Sequence, residues 1–442
     1  MPHPSPRAIR VALVLFAAYL LAATLAIYAL QYREHAAKGG IYALHFGFGP
    51  LARSLVEEGC YAVPAEGYSL PTPEETWSFT AHRMPLVPIL LAAVAFIRNS
   101  VLLALLVKNA CFGAIFAAGA LRLWRACANA PGALLLGALF AATFPSLVLF
   151  SLLLEVEEGY LVATIFFLFA HLVRCGDEEL PIGGWRWTAI ALANMSLFLT
   201  KASMWPLMVM NVLFFACFAR SLRAGAGLGA AALVSFGLWA GHNLHHSGRF
   251  TIANTWASWC LYKGNNPRTA EIYPAWTVDR MDHEGIVESP LRFEDEWAYE
   301  AHNKAQAKAF ILENPAEFMK LTAIRTRVFL LSVRNTPWLP ERDAGALRRA
   351  IDLANVGWMV AFRALFAVVT LRTLWAVLRL RRDPAERRIA ALGICFLLFV
   401  GAYAAAYIVG FGYQRHVMPI VPPTIACAVA FLSLRRAPLP QG

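Results

Sequence analysis

Ten apolar stretches of about the length of a membrane-spanning helix dominate this chain. A bilayer core of about 30 Å takes about 20 consecutive apolar residues in helical form. The stretches are 11–30, 101–121, 132–152, 159–173, 186–200, 203–219, 225–243, 352–378, 389–411 and 417–434. Hydrophobic residues make up 59% of the chain and charged residues only 15%, compared with about 25% in soluble domains. We therefore predict an all-α integral membrane protein, a bundle of about ten transmembrane helices.

The formal net charge of +11 is compatible with nucleic-acid binding or with basic residues enriched on the cytoplasmic side of a membrane. The positions of the basic residues distinguish the two interpretations. Basic residues flank alternate ends of the predicted spans, at Arg7, Arg10, Arg122, Arg125, Arg174, Arg220, Arg223, 372–388, Arg435 and Arg436. If both termini are cytoplasmic, all of these groups lie on the cytoplasmic side. The pattern predicts a multi-pass protein of the bacterial inner membrane, with no nucleic-acid partner.

The segment 84–97, MPLVPILLAAVAFI, decides whether this orientation is self-consistent. It is apolar but short, and it carries two prolines near its start. Apolar stretches of this length are more often interfacial or re-entrant than spanning. We place the segment on the extracytoplasmic face, because a further span would invert every basic group after it. The first apolar stretch, 11–30, is too long for a cleaved signal peptide, and we expect it to be a retained helix.

Two long regions outside the spans are predicted to lie on the extracytoplasmic side. The first external loop, 31–100, contains an amphipathic helix, and 63–82 is too irregular to assign. The apolar residues at helical spacing are Phe48, Leu51, Ala52 and Leu55. The second region, 244–350, is predicted to be mostly helical. Its predicted elements are a helix over 294–313, a basic amphipathic helix over 314–333 and a turn at 338–343.

The chain is predicted to have three parts. Residues 1–243 form a transmembrane core that includes the first external loop. Residues 244–350 form the external region, which is an elaboration between helices rather than an independent domain. Residues 351–442 form the C-terminal transmembrane helices.

Ionisable groups at the predicted outer ends of spans are costly unless they bind a ligand or pair with each other. The groups in such positions are His45; His82 with Arg83; Glu155, Glu157 and Glu158; Lys201; and Arg415 with His416. Arg83, Lys201 and Arg415 break the positive-inside pattern, and Arg and Lys are the usual partners of phosphate. The three together favour a phosphate site. The alternative is that they extend to lipid headgroups or pair with the three glutamates.

Two polar clusters have several interpretations. The glutamates at 155–158 lie in a short turn, where they could act as a base, orient an acceptor, bind a metal or only be solvated. His242, His245 and His246 have a spacing compatible with metal ligation on one helical face. Because no Cys or carboxylate lies nearby in the sequence, we predict no metal site there.

Two further features leave alternatives open. Cys60 and Cys260 both fall in predicted external regions, where they form a disulfide or remain two free thiols. Lys108 lies inside the second predicted span, where it lines a cavity or extends towards the membrane surface.

Seven segments in a fixed order carry a family resemblance. They are GPLARSLVEEGCY (49–61), HRMPLVPILLA (82–92), FPSLVLFSLLLEVEEGY (144–160), FLTKASMWPL (198–207), WAGHNLHHSGRF (239–250), LYKGNNPRTAE (261–271) and QRHVMPIVP (414–422). In this order they resemble the GT-C glycosyltransferases that use polyprenyl-phosphate sugars, the protein O-mannosyltransferase-like and aminoarabinose transferase-like group (glycosyltransferase family 39-like). The resemblance implies a seven-helix core with an extracytoplasmic active site. It also implies inverting transfer of a sugar from the lipid-linked donor to a glycan, lipid or protein acceptor of the cell envelope.

The resemblance assigns roles to individual residues. It implies that the donor phosphate binds to Arg83, Lys201 and Arg415. The acidic residue of the second external loop corresponds to Glu157, with Glu155 or Glu158 as the alternatives. Further candidates in the matched segments are His82, Asn265 and Asn266. The sequence requires no cofactor beyond the lipid-linked donor, and dependence on a divalent metal is left open.

The chain departs from the family in its first external loop, where relatives have an acidic residue. Positions 35–56 contain no Asp or Glu. His45 is the titratable side chain near that place, so His45 and Glu157 are the predicted catalytic residues. Glu57 or Glu58 could serve instead, or transfer activity has been lost. The alternative functions are an inactive scaffold of the same fold and a transporter or flippase of a lipid-linked or anionic substrate.

Overall fold

The computed structural model describes residues 6–45, 47–64, 78–175, 184–218, 222–273, 288–332, 346–379, 383–410, 412 and 414–436. Most of these residues are helical. Two of the loop regions between the longer helices pack against each other. The bounds of the elements are given below in chain order.

The first part of the chain forms a long helix followed by short elements. Helix α1 (Pro6–Ile27) continues through a π-helical turn (Tyr28–Tyr32) into α2 (Arg33–Lys38). After them come a 3-10 turn (Gly40–Ala43), α3 (Phe48–Glu57), β1 (Val63–Pro64), β2 (Ser78–Phe79) and α4 (Leu86–Ile97). The two strands pair antiparallel, with Val63 opposite Phe79 and Pro64 opposite Ser78.

The remainder of the chain consists mostly of longer helices. The next elements are α5 (Val101–Ala126), α6 (Pro131–Thr143), α7 (Pro145–Leu152), α8 (Glu158–Cys175), α9 (Trp185–Thr200), a 3-10 turn (Ala202–Met204), α10 (Trp205–Phe218) and α11 (Leu222–Ser247). The second loop region contains α12 (Thr255–Gly264), α13 (Pro267–Ile272), a 3-10 turn (Pro290–Arg292), α14 (Glu296–Glu313) and α15 (Pro315–Leu331). Then follow α16 (Ala346–Leu378), α17 (Pro384–Val409), a 3-10 turn (Gln414–Ile420) and α18 (Val421–Arg436).

Within the described residues, five helical segments are long and apolar enough to cross a membrane by themselves. They are Arg7–Lys38, Val101–Ala126, Arg349–Leu378, Ala385–Val409 and Arg415–Leu434. Shorter apolar helices cover Leu86–Ile97, Glu158–Val173 and Ala202–Cys217. Within the described residues, most of each predicted span is helical, and the architecture is consistent with an all-α membrane protein. The number of crossings stays a prediction.

The predicted span 132–152 is not one continuous helix. It divides into α6 and α7, whose axes are bent by 66°. The break lies at Phe144, which has an extended backbone, and Pro145 begins the next helix. Proline lacks the N–H that would continue the first helix, and it pushes the preceding residue out of the helical region. The pair is therefore a bent element that leads directly into the turn before α8.

Helix α8 lies at the centre of the bundle. It packs against α5, α9, α18 and the 3-10 turn Gln414–Ile420. From Glu158 to Val173 its residues are buried, so that protein surrounds it on all sides. A helix that is apolar all round is typical of such a buried position. The N-terminus of α8 therefore presents its glutamates to side chains from several other segments.

The loop regions confirm several predicted elements. Helix α3 buries Phe48, Leu51 and Ala52, as its helical pattern predicts. Helices α14 and α15 cover the predicted helices 294–313 and 314–333. Strands β1 and β2 give structure to both ends of the unassigned stretch 63–82. The predicted turn at 338–343 lies outside the described residues.

The two loop regions meet at one end of the bundle. The backbone N–H of Thr255 donates to the carbonyl of Ala81 at 3.1 Å. The carboxylate of Glu296, at the start of α14, binds the same part of the first loop. Residues far apart in the sequence are thereby fixed beside the N-terminus of α8.

Candidate functional site

Glu157 lies between two basic residues that come from distant parts of the chain. One carboxylate oxygen is 3.4 Å from a guanidinium nitrogen of Arg83, and the other is 2.9 Å from Nζ of Lys201. The exposed fractions of the three side chains are 7% for Arg83, 13% for Glu157 and 21% for Lys201. The ion pairs are therefore largely withdrawn from solvent, and Lys201 is the most accessible member.

Glu158 extends the same network towards the C-terminal part of the chain. Its Oε1 lies 3.0 Å from Nζ of Lys201 and 3.5 Å from Nε2 of His416. The positive charge of Arg415 also acts on this carboxylate. The exposed fraction of the Glu158 side chain is only 3%. Three of the predicted cations thus converge on two neighbouring carboxylates.

Each of these side chains lies where a helix begins or ends. Glu157 and Glu158 precede and begin α8, where the positive end of the helix dipole favours acidic groups. Lys201 is an extended residue between α9 and the next 3-10 turn. Arg83 lies in the segment between β2 and α4, and His416 lies in the 3-10 turn Gln414–Ile420. Helix breaks therefore bring the functional groups together in an otherwise apolar bundle.

Lys201 keeps its charge in spite of its burial. Desolvation alone would lower the pKa of the Lys201 ammonium. The carboxylates of Glu157 and Glu158 more than offset that effect, and the pKa of Lys201 lies above its usual value. Lys201 is thus a permanently charged group at the junction of the two glutamates.

Aromatic rings form the walls around the cations. The guanidinium of Arg83 lies 4.2 Å from the ring centroid of Trp256 and 5.0 Å from that of Phe48. Nζ of Lys201 lies 5.2 Å from the ring centroid of Tyr407. That ring stacks on His416 with 4.0 Å between centroids. Cation–π contacts of this kind orient both basic groups while keeping water away from them.

Glu155, the first glutamate of the turn, has a different environment. Its carboxylate accepts a hydrogen bond from the backbone N–H of His45. The rings of His45 and His35 pack edge to face, with 4.9 Å between centroids. Burial raises the pKa of Glu155, and the hydrogen bond from His45 and the two histidines oppose the rise. The predicted residues His45 and Glu155 therefore form a second group beside the Arg83–Glu157–Lys201 network.

His82 is a buried neighbour of Arg83. Its ring lies 4.4 Å from that of Trp256 and 4.7 Å from that of Phe79, measured between centroids. Burial and the charge of Arg83 lower the pKa of His82 well below its usual value. A neutral imidazole packed between aromatic rings supports the wall of the site.

Four of the candidate residues lie in other arrangements. Glu57 pairs with Arg53 on α3, and Glu58 accepts from the hydroxyl of Ser54. Asn265 and Asn266 stabilise the end of α12 and the start of α13. Asn265 donates to the carbonyls of Leu261 and Val409, and Asn266 accepts from the N–H of Thr269. These contacts give the two asparagines a structural role.

The remaining polar candidates are also placed by the structure. Cys60 and Cys260 are free thiols, and burial raises the pKa of Cys260 to about 12. His242 contacts the carbonyl of Thr80 at 2.9 Å and stacks on Trp239. Lys108 is fully buried and donates to the carbonyl of Ser151. In the parts of the chain that the structure describes, no group of three or more His, Cys, Asp or Glu could hold a metal ion.

Sequence reasoning missed several residues of this region, Glu296 above all. Its carboxylate accepts from Thr80 and Ala81 in the first loop and from the hydroxyl of Thr255. In the sequence, Glu296 is one acidic residue in the first turn of a helix, which is an ordinary position for a glutamate. Trp256 and Tyr407 were missed as well, and no local pattern distinguishes them from other aromatic residues.

Comparisons of the chain with protein-family models, curated proteins and solved structures gave no match.

Proposed function

We propose that this chain is an inverting membrane glycosyltransferase that transfers a sugar from a polyprenyl-phosphate donor to an acceptor. The observation that carries the proposal is the convergence of Arg83, Lys201 and Arg415 on the Glu157–Glu158 pair. These cations come from segments that are remote in the sequence. The structure also bears out the alternative that Arg83 and Lys201 pair with the glutamates. Clustered ionisable groups that lie at helix breaks and are largely withdrawn from water are nevertheless typical of functional sites, and this supports the proposal.

The charge balance of the cluster suits a phosphodiester. Arg83, Lys201 and Arg415 exceed Glu157 and Glu158 by one positive charge, and the buried Lys263 adds a further positive charge nearby. A polyprenyl-phosphate sugar carries one negative charge at its phosphodiester. The ion pairs of Arg83 and Lys201 with the glutamates hold the cations in place before the donor arrives. The Lys201 side chain is 21% exposed and that of Arg83 only 7%, so an entering phosphate meets Lys201 before Arg83.

The same cations suit the departure of the leaving group. When the sugar leaves, the phosphodiester becomes a phosphomonoester and gains a second negative charge. Preorganised cations in a site shielded from water stabilise the developing charge. Arg83 between two aromatic rings and Lys201 between two carboxylates are fixed groups of this type.

The position of the cluster supports an extracytoplasmic active site. The cluster lies at the end of the bundle where the first and second loop regions meet. With both termini in the cytoplasm of a bacterial inner membrane, that end faces the periplasm. The long polyprenyl chain would lie in the lipid beside the bundle. The acceptor, a glycan, lipid or protein, would approach from the aqueous side.

Binding and glycan analysis test the proposal together. Affinity for undecaprenyl phosphate is measured on protein in lipid nanodiscs, for wild type, Lys201→Ala and Arg415→Ala. Arg268→Ala is the matched control, because Arg268 pairs with Glu271 on an exposed helical turn. We expect the first two variants to bind at least about tenfold more weakly, a loss of about 1.4 kcal/mol each, and the control to bind as wild type.

The cellular arm uses mass spectrometry of envelope glycans from cells with and without the gene. We expect a glycan signal to disappear on deletion and to return with the wild-type gene. Phosphate binding without any change in glycans would support the inactive scaffold instead. Movement of the lipid across vesicle membranes without sugar transfer would support the flippase.

A further inference from the structure

The three glutamates between α7 and α8 are not equivalent. Glu157 and Glu158 bind the cations of the proposed donor site. Glu155 instead faces the first loop region, where it accepts from the N–H of His45. If the chain has the proposed transferase function, the different surroundings of Glu155 suit it to a different role from that of Glu157 and Glu158.

The backbone beside Glu155 is held from two sides. The N–H of Leu154 donates to the hydroxyl of Tyr32 at 2.9 Å, and the hydroxyl of Tyr160 donates to the Leu154 carbonyl at 3.0 Å. Tyr32 belongs to the π-helical turn after α1, an irregularity that is frequent at functional sites. The backbone of the residue before Glu155 is therefore anchored to the π-helical turn and to α8.

A short piece of the first loop joins Glu155 to the donor cations. The N–H of Phe48 donates to the carbonyl of His45 at 3.3 Å, and the ring of Phe48 packs under Arg83. His45, which contacts Glu155, and Phe48, which contacts Arg83, are thus joined by a hydrogen bond between their backbones. His45 is exposed and Glu155 is half-buried, so the carboxylate lies near the edge of the solvent-accessible surface.

We propose that Glu155 is the proton acceptor of the transfer reaction, at an acceptor subsite flanked by His35 and His45. The acceptor carries a hydroxyl or amine nucleophile. Its O–H or N–H proton moves to a carboxylate oxygen of Glu155 while its lone pair forms a bond to the anomeric carbon. The bond between that carbon and the phosphate oxygen breaks, and its electron pair stays on the phosphate beside Arg83 and Lys201.

The neighbouring glutamates are less suited to take this proton. Protonation of Glu157 would remove the negative charge that binds both Arg83 and Lys201. Protonation of Glu158 would likewise weaken its contact with Lys201. Glu155 can accept a proton without breaking an ion pair of the donor site. Glu157 and Glu158 thus bind the cations, and Glu155 accepts the proton. The chain therefore has a catalytic base although positions 35–56 of its first loop contain no acidic residue.

The electrostatic surroundings of Glu155 agree with this role. The titratable groups that face it are His35, His45, Tyr32 and Tyr160. Burial raises the pKa of Glu155 above the usual glutamate value. A raised pKa makes the carboxylate a stronger base, and it brings the group nearer to the pH of the cell envelope.

The test compares Glu155→Gln with Glu34→Gln, a control on the exposed surface of α2. Each variant is expressed in the deletion strain, and the envelope glycan that the wild type restores is quantified. Affinity for undecaprenyl phosphate is measured in parallel. We expect Glu155→Gln to lower the glycan signal by about 100-fold or more, with undecaprenyl phosphate affinity unchanged. Glu34→Gln should restore the glycan fully.

The outcomes separate the two proposals. Retained affinity of Glu155→Gln for the lipid demonstrates that the variant is folded and that its donor site is intact. Full glycan restoration by Glu155→Gln, in a strain where deletion removes the glycan, would overturn the assignment of Glu155 and leave the transferase function standing. If deletion removes no glycan, the transferase function fails and the assignment of Glu155 fails with it. Partial restoration by Glu155→Asp, which keeps a carboxylate on a shorter side chain, would support the assignment.

Discussion

The carboxylate of Glu296 accepts two hydrogen bonds from Thr80, one from the backbone N–H at 3.0 Å and one from the hydroxyl at 2.6 Å. It also accepts from the N–H of Ala81 at 3.1 Å and from the hydroxyl of Thr255 at 3.3 Å. One buried side chain therefore connects α14, α12 and the loop before α4. Arg83 comes two residues after Ala81, so the hydrogen bonds of Glu296 hold the backbone from which the Arg83 side chain extends.

Replacing Glu296 is expected to weaken the binding of the donor phosphate. Glu296→Ala leaves the donors of Thr80, Ala81 and Thr255 without their acceptor, which costs about 1–3 kcal/mol of stability. We expect undecaprenyl phosphate to bind about tenfold more weakly, because Arg83 is no longer held against Trp256. The control is Glu313→Ala, an exposed position at the other end of α14. Unchanged lipid affinity in Glu296→Ala would show that Arg83 is positioned by other contacts.

Glu296 also predicts a dependence of stability on pH. Burial raises the pKa of Glu296, and its hydrogen bonds from Thr80, Ala81 and Thr255 only partly oppose the rise. The folded state therefore favours the protonated carboxyl more than the unfolded state does. Its stabilising contribution is complete below the unfolded value of about 4.3 and is lost as the pH rises through the folded pKa. Thermal unfolding of wild type and Glu296→Gln at pH values from below about 4.3 upwards measures this contribution. The Tm of wild type minus that of Glu296→Gln should fall as the pH rises.

Removing the charge of Lys201 should destabilise the fold. Lys201→Met leaves the buried Glu157 and Glu158 without their shared cation, and breaking a buried pair in this way costs about 3–5 kcal/mol. Unfolding in mixed detergent micelles measures the loss. Lys304→Met is the control, because the Lys304 side chain is exposed and forms an ion pair within α14, with Glu300. A second substitution, Glu158→Gln, should recover part of the loss. A double variant no more stable than the single one would argue against the pairing.

Gly159 is expected to tolerate no side chain. A methyl group at this position would lie 2.6 Å from the carbonyl oxygen of Phe150 and 3.1 Å from that of Leu153. Gly159→Ala must therefore displace the turn that holds the glutamates, at a cost of about 1–3 kcal/mol. Gly237→Ala on α11 has open space and should be neutral or slightly stabilising. Glycan restoration in the deletion strain and Tm should both fall for the first variant only.

Local patterns predicted the elements of this fold better than their breaks. The helical spacing of Phe48, Leu51 and Ala52 predicts the buried face of α3. The bend between α6 and α7 depends on Pro145, whose effect the uninterrupted apolar composition of 132–152 conceals. Hydropathy alone measures apolar length and does not measure the direction of a helix axis.

The candidate site was predictable where a residue violated a general rule. Arg83, Lys201 and Arg415 were found because they break the expected distribution of basic charge across a membrane. Asn265 and Asn266 were chosen by resemblance. In the structure Asn266 caps the start of α13, whereas Asn265 joins the end of α12 to Val409 and accepts a hydrogen bond from Arg325. The contacts of Glu296 join residues that are far apart in the sequence, and no local pattern predicts them.

The hydrogen bonds between Thr80 and Glu296 also determine when the site can be completed during translation of the chain. The two residues are 216 positions apart, which at about 5–20 residues per second corresponds to a delay on the order of 10–40 s. Throughout this interval the loop that carries Arg83 has been synthesised, but Glu296 is not yet there to accept its hydrogen bonds. Lys201 and the glutamates can pair as soon as Lys201 has been synthesised, whereas Arg415 is synthesised after all of them. Between these events the nascent chain therefore carries an incomplete charge cluster, in which Glu158 lacks the positive charge of Arg415.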